Sequence, residues 1–258
     1  TSKADQISSW SGAAFFWFGW LTFFYFIIKY FIAGDGLKNT IWTAIYFIVL
    51  MGFMMHVNNQ IVKVKCGEID YGLVMFATVV PWISIVGIIY IIIVAFPGWK
   101  SPFANTIGYL AAYMSGINEL LSNILKSDYS KSLSQLDNSQ ITPQMKLTAN
   151  TLDSIYNDKS ILINQVTPDN ITQFWERMKP LMKKGSYENT KLFGKFKNLV
   201  YLKDIVAEFM WLFLSGMLTI SISFNMLISS TCEPSLQQIH RAQIKAAQTN
   251  VDRGGTDS

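Results

Sequence analysis

Residues 71–96 constrain the fold more than any other part of the chain. They include no ionisable side chain other than tyrosine, and aliphatic and aromatic residues fill nearly every position. As a helix this stretch would be roughly 39 Å long, which exceeds a hydrocarbon core of about 30 Å. It also lacks the polar face of an amphipathic helix in a soluble protein. We therefore predict a membrane-spanning helix that is kinked at Pro81, because in lipid a neighbouring helix or a hydroxyl can satisfy the carbonyl that proline frees.

Three other segments are apolar enough to cross a bilayer, at residues 11–33, 40–57 and 205–229. The first has eleven aromatic residues among the seventeen positions of 15–31. We predict an all-α membrane protein with about four transmembrane helices and a mainly helical extramembrane region between helices 3 and 4. The predicted parts are a polar N-terminal segment (1–10), a three-helix transmembrane region (11–96), the extramembrane region (97–204), the fourth transmembrane helix (205–229) and a polar C-terminal tail (230–258).

Composition excludes several classes of function. Of the 258 residues 50% are hydrophobic, in blocks rather than in periodic faces, and the net charge is only +4. A charge this small does not indicate binding to nucleic acid. With two cysteines the chain has neither a disulfide framework nor a multi-cysteine metal site, and no second histidine or carboxylate stands at ligand spacing from His56.

The extramembrane region is not uniform along its length. Residues 103–125 carry almost no charge, so we expect them to lie flat on the membrane as an interfacial helix or to pack on a partner. Residues 126–150 are rich in Ser, Gln, Asn, Lys and Asp, which is typical of a flexible linker or an exposed loop. An amphipathic pattern follows at 171–184 and is interrupted at Pro180. The sequence gives no further prediction for the structure of 126–186.

Lysines and a tryptophan flank the apolar segments where the bilayer surface is expected. An aromatic ring at headgroup level and a cation that reaches toward water are typical of this position. Lys29, one turn before the end of the first span, is predicted to extend to the interface in this way, and Glu208 is predicted to stay hydrated near the mouth of the last span. A solvated helix face is the alternative for the basic segment 190–203. The side chains predicted to contact lipid headgroups are Trp99, Lys100, Lys191, Lys195, Lys197 and Lys203.

Ser215, Thr219 and Ser223 recur every four residues in the last span, with Gly216 beside them. This spacing places a stripe of small residues on one helix face, which is the usual surface for close helix–helix contact in lipid. The alternative interpretation is a polar lining for a permeation path.

Four crossings predict which parts of the chain share a side of the membrane. The N-terminus, loop 58–71 and the C-terminal tail lie on one side, and the turn 34–39 and the large extramembrane region lie on the other. Seven lysines near the membrane on the large-region side, against five basic residues opposite, weakly favour a cytosolic location for that region. Cys66 and Cys232 then share a face. They either form a disulfide or are two unrelated free thiols, which is the alternative that we favour from the sequence.

The motif search gives no catalytic chemistry. The chain contains no Walker loop, no G-x-S-x-G, no H-E-x-x-H and no CxxC, and it has only two histidines. No carboxylate is predicted to be buried in the membrane, so no proton path is indicated. We therefore predict that the protein is not an enzyme and needs no cofactor. The remaining interpretation is a scaffold or anchor that holds a polar domain on one side of a bilayer.

Two segments carry a resemblance to a known group of proteins. Residues 96–109 read FPGWKSPFANTIGY, in which a Pro-Gly-Trp stop is followed by Ser-Pro-Phe and Asn-Thr-Ile-Gly-Tyr. Residues 204–211 read DIVAEFMW, continue through SISFN at 221–225 and are followed by Cys232. Both segments resemble polytopic membrane proteins encoded by large nucleocytoplasmic DNA viruses, including the algal phycodnaviruses.

The resemblance implies a virion protein that resides in the membrane beneath an icosahedral capsid, a membrane that derives from the host during assembly. It implies a membrane-associated minor capsid protein that ties the lipid bilayer to the shell through other minor capsid proteins. A homo-oligomer is compatible with this role, and no nucleic-acid partner is expected. Two other functions stay open, a channel-like or transport subunit and an accessory membrane subunit of a cellular complex.

Overall fold

The computed structural model describes residues 2–32, 36–126 and 153–232, together with Ile244. These residues contain no β-strand, and four of their helices are long and apolar enough to cross a membrane. They are α1 (Lys3–Phe31), α2 (Gly36–Cys66), α3 (Tyr71–Ala95) and a final helix, Thr190–Ser229. The predicted fold class is confirmed, and four spanning helices are what a multi-pass membrane protein requires.

The helices are longer than the apolar segments that predicted them. Helix α2 continues to Cys66, so most of the loop predicted at 58–71 is helical. Val57, Ile61 and Val62 are buried at helical spacing, and this apolar face extends the helix beyond the purely hydrophobic segment. The final helix likewise begins at Thr190 rather than at residue 205.

Helix α3 changes its helix type directly after Pro81, the residue at which a kink is predicted. Asp70 caps its start by accepting a hydrogen bond from the Leu73 N–H at 3.0 Å. An α-helical part, Tyr71–Pro81, passes into a π-helical turn, Trp82–Gly87, before the α-helix resumes at Ile88–Ala95. Proline removes a backbone donor, and a π-turn is one way in which a helix absorbs that loss. Inside this turn the Ser84 hydroxyl donates to the carbonyl of Val80 at 2.7 Å.

Short helices form the extramembrane region. After the turn Pro97–Lys100, helix α4 comprises Ser101–Phe103, a π-helical turn Ala104–Gly108 and Tyr109–Met114. Helices α5 (Ile117–Ile124), α6 (Ser160–Ile163) and α7 (Ile171–Met178) follow, and α8 is the final helix, Thr190–Ser229. The linker predicted at 126–150 and most of the C-terminal tail lie outside the described residues.

A hydrophobic core holds these short helices together, and we call them, with the first part of α8, the extramembrane domain. Helix α5 buries Leu121 and Ile124, α7 buries Trp175, and α8 contributes Phe196 and Val200. The expectation that all of 103–125 lies on the membrane or on a partner is therefore wrong for α5, because its apolar face is covered by other helices of the same chain.

Residue contacts divide the chain into two compact units. The described residues of the first fall within 1–21, 44–86 and 216–258, and those of the second fall within 22–43 and 87–215. The second unit therefore includes the extramembrane domain, the adjoining ends of α1 and α3, and α8 as far as residue 215.

Candidate functional site: the junction between membrane helices and extramembrane domain

A buried ion pair joins α1 to α8 within the second unit. The Lys29 ammonium donates to a carboxylate oxygen of Glu208, and the two residues are only 5% and 9% exposed. The Lys29 nitrogen also lies 5.6 Å from the ring centres of both Tyr25 and Phe26, within the range of a cation–π interaction. The predictions that Lys29 extends to the interface and that Glu208 stays hydrated are both wrong, because each charge is neutralised by the other inside the protein.

One turn before Lys29, helix α1 is hydrogen-bonded to the start of α2. The hydroxyls of Tyr25 and Thr43 are 2.8 Å apart, and the Trp42 indole N–H donates to the backbone carbonyl of Tyr25 at 3.2 Å. Tyr25 and Thr43 are both buried. Polar groups in an apolar environment must be paired to avoid a desolvation cost, and this pair meets that condition.

The turn that follows α3 is held against α8 by an ion pair and a hydrogen bond. The Lys100 ammonium donates to the Asp204 carboxylate at 2.6 Å, and the Trp211 indole N–H donates to the carbonyl of Trp99 at 2.9 Å. The headgroup contact predicted for Lys100 is replaced by this ion pair. The Trp99 ring is 51% exposed, so its headgroup contact stays a prediction.

Lys203 is a second correction to the headgroup residues. It is 2% exposed, and its ammonium donates to the carbonyl of Ile163 at 2.6 Å, with the Asn105 side-chain oxygen at 3.4 Å. Ile163 is the last residue of α6, where a backbone carbonyl has no partner within the helix. Lys203 therefore satisfies a helix end inside the extramembrane domain, which a bilayer surface cannot reach.

Helix α4 crosses α8 closely at Gly108. A Cβ atom at this position would lie 3.2 Å from the carbonyl carbon of Lys203 and closer still to its oxygen. Only glycine permits the two backbones to come this near. We use "the junction" for four of these links: Lys29–Glu208, Lys100–Asp204, Lys203–Ile163 and Gly108–Lys203.

The three remaining basic residues of the predicted headgroup set lie on the first part of α8. Lys191, Lys195 and Lys197 are all exposed, whereas Phe196 and Val200 of the same helix face the core. Their contact with anionic headgroups stays a prediction.

The small-residue stripe of α8 is buried. Ser215, Thr219 and Ser223 are 8%, 0% and 3% exposed, and the Ser215 hydroxyl donates to the carbonyl of Trp211 at 2.8 Å. In the first unit, a Cβ atom at Gly216 would overlap the ring of Phe18. The stripe thus lies against other parts of the chain, which is the helix-packing interpretation and not that of an open lining.

The first unit contains a polar cluster that no sequence pattern predicts. The Asn58 amide donates to the Thr78 hydroxyl at 2.7 Å and to the Ser223 hydroxyl at 2.9 Å, and all three residues are buried. These bonds tie α2, α3 and α8 together. The prediction that Asn58 belongs to the polar loop 58–71 is wrong, because the residue lies within α2 and is buried.

The ends of α2 and α8 are linked covalently in the first unit. Cys66 and Cys232 form a disulfide, with their Cα atoms 5.5 Å apart. The neighbouring Lys65 ammonium donates at 2.8 Å to the carbonyls of both Leu227 and Ile228, which lie in the last turn of α8. Of the two alternatives that the sequence left open, the structure contains the bonded one and not the free thiols that we favoured.

Among the described residues, no group of three His, Cys, Asp or Glu side chains is placed to hold a metal ion. Comparison with protein-family models, curated proteins and solved structures finds no match for the chain. The junction therefore has to be interpreted from its own geometry.

Proposed function

We propose that the protein is a membrane anchor, in which a bundle of spanning helices holds the extramembrane domain rigidly at the bilayer surface. The junction is the observation that carries this proposal. It joins α1 and the turn after α3 to α8 through two ion pairs, and it fastens the short extramembrane helices to α8 through one buried lysine–carbonyl bond and one close backbone crossing, so that the domain and the membrane helices are connected through α8. A domain that only needed to remain near the membrane would require none of these links.

We further propose that this anchor is a virion protein of an internal membrane, whose extramembrane domain binds minor capsid proteins beneath an icosahedral shell. The two segments that resemble the viral proteins support this, since both belong to the junction. Residues 96–109 supply Lys100 and Gly108, and residues 204–211 supply Asp204 and Glu208. The resemblance thus includes the residues where the domain meets the membrane helices, and its second segment continues along α8 to residues 221–225 and to Cys232, outside the junction.

We also propose that the extramembrane domain faces the cytosol while the host-derived membrane is being assembled. Lys29, Lys100 and Lys203 are engaged in contacts within the chain, so they weaken the positive-charge argument for orientation. The disulfide supports the same orientation independently, because Cys66 and Cys232 are predicted on the opposite side of the membrane and disulfides persist in oxidising compartments.

The test is fractionation of purified virions followed by chemical cross-linking. The proposal predicts release of the protein by detergent but not by salt, with cross-links from exposed lysines such as Lys191 and Lys195 to capsid proteins. Absence of the protein from virions would refute the viral role.

The alternative of a channel is tested by reconstitution, and liposomes that stay impermeable to ions would exclude it. The buried state of Ser215, Thr219 and Ser223 gives that alternative no support.

A further inference from the structure

An apolar groove lies in the second unit between α1, α4 and α8. Its floor is formed by buried Phe26 and Ile205, and Phe26 meets the ring of Phe209 edge-on at 5.5 Å. Ile27 of α1 and Ile107 of α4 stand on opposite walls and are 38% and 40% exposed. The groove has a volume of about 480 Å³, within the roughly 300–1,000 Å³ typical of small-molecule sites.

The membrane determines what medium fills this groove. Ile27 and Val206 belong to two of the four helices that are long and apolar enough to cross a bilayer. The groove opens on lipid, because Phe23 and Phe31 of α1, which line it, are apolar and 48% and 79% exposed. Water in such a groove would find almost no polar partner.

Helix α4 extends the same surface beyond the groove. Its Ile107, Leu110 and Met114 follow one another at helical spacing and are 40%, 54% and 80% exposed, whereas Ala104 and Ala112 on the opposite face are buried. A helix with one apolar face uncovered, directly after a spanning helix and its terminal turn, is suited to lie in the bilayer interface. The groove wall at Ile107 is thus continuous with the lipid-facing surface of α1.

We propose that this groove is a binding site for one acyl chain of a membrane phospholipid, which inserts between α1, α4 and α8. The inference goes beyond the anchoring role, since it names a lipid that stays bound rather than the bilayer as a whole. The chain fills a concave site with three apolar walls, in contrast to Ile83 and Ile91 of α3, which are 64% and 65% exposed and do not line the groove.

The experiment uses the full chain in nanodiscs with a phosphatidylcholine that carries a photoactivatable diazirine on its acyl chain. Cross-linked positions are mapped by mass spectrometry. We expect labelling of groove residues to exceed labelling of the α3 face around Ile83 and Ile91 by about tenfold, which corresponds to about 1.4 kcal/mol of preference. Uniform labelling of all lipid-facing helices would overturn the proposal.

Two variants fill the groove from different walls, Val206→Trp on α8 and Ile107→Trp on α4. Each should abolish the excess labelling, and agreement between them guards against one variant that fails to fold. Leu218→Trp is the matched control, because Leu218 lies on the same helix as Val206, is 54% exposed and lines no part of the groove. Unchanged labelling in both groove variants would overturn the proposal, as would cross-links from the groove to a second copy of the chain or preferential labelling by a photoactivatable sterol.

These outcomes are independent of the anchoring role. A protein that is absent from virions can still hold an acyl chain in the groove, and a virion protein can lack one.

Discussion

Replacing either member of the Lys29–Glu208 pair tests whether these charges are truly inside the protein. Lys29→Met leaves the Glu208 carboxylate buried without its counter-charge, and Glu208→Met does the same to the ammonium. Removing one partner of a buried pair costs about 3–5 kcal/mol, because the remaining charge is neither hydrated nor paired. The two residues are only 5% and 9% exposed, which places them in that class rather than among surface pairs worth about 0–1 kcal/mol.

The double variant separates burial from a general loss of packing. With both positions methionine, no charge is left in the apolar site, and the volume is close to that of the original side chains. Replacement of a buried ion pair by apolar residues is often neutral or stabilising by about 1–4 kcal/mol. We therefore expect the double variant to be at least as stable as the parent, so that each single variant is rescued by the other.

The free energy of unfolding is measured for the purified protein by reversible SDS titration in mixed micelles, with tryptophan fluorescence as the signal. Lys197→Met is the control, because Lys197 is exposed on the same helix as Glu208 and its loss should change stability by no more than about 0.5 kcal/mol. Single variants that each lose less than about 1 kcal/mol, with additive effects in the double variant, would refute the argument. Lys29 and Glu208 would then both be hydrated at the interface.

Three further predictions concern other contacts and use the same unfolding measurement. Gly108→Ala should destabilise the protein by about 1–3 kcal/mol, because the new Cβ meets the Lys203 backbone. Gly194→Ala is the control, since Gly194 on α8 has open space around it and its substitution should be neutral or stabilising by up to about 1 kcal/mol. Equal effects of the two variants would contradict the close crossing. Cys232→Ser should lower stability by up to about 5 kcal/mol, since the disulfide closes a sequence separation of 166 residues. If the electrophoretic mobility of the parent protein is the same with and without a reducing agent, the disulfide is not formed. Lys203→Met should cost about 1–3 kcal/mol by removing the charged hydrogen bond to the Ile163 carbonyl, which then keeps only the 3.3 Å bond from the Val166 N–H, and labelling by a photoactivatable phosphatidylserine should stay unchanged; reduced labelling with unchanged stability would show instead that Lys203 binds headgroups.

The spanning helices are predictable from the sequence because a long uncharged segment has few other environments available to it. Residues 71–96 could be assigned on length and polarity alone. Helix ends are harder, since hydropathy reports where lipid lies and not where the helix stops. Helix α8 shows the difference: its apolar segment begins at 205, but Phe196 and Val200 extend its buried face into the extramembrane core, and the helix begins at Thr190.

The positions of individual charges were the least predictable feature. Lys197 and Lys203 both lie in the basic segment before the last span, yet Lys197 is exposed and Lys203 is buried, with only 2% of its surface accessible. What distinguishes them is the carbonyl of Ile163, which belongs to a helix that no sequence pattern placed beside α8. Long-range partners of this kind follow from the packing of the core and not from local composition.

The sequence did contain a signal for the Lys29–Glu208 pair. Lys29 lies near the end of α1 and Glu208 near the start of the last span, and in the predicted four-crossing topology both positions are on the same side of the membrane at a similar depth. Opposite charges at matching depth in two membrane-spanning helices are expected to form an ion pair, because an unpaired charge in an apolar medium is costly. Treating each residue separately concealed this constraint.

The chemistry of the junction bears on how an anchor can work. Helix α8 passes from the extramembrane core at Val200 through Lys203 to Glu208 without interruption, so the domain and this end of the bundle share one continuous rod. Tilting the domain away from the membrane helices would separate Lys100, in the turn after α3, from Asp204 on α8. This leaves partly buried charges without their partners, at a cost of about 1.5–3 kcal/mol for a hydrogen bond to a charged group. We expect these links to hold the domain in one orientation relative to this end of the helices, as the proposed anchor between a membrane and a shell would require.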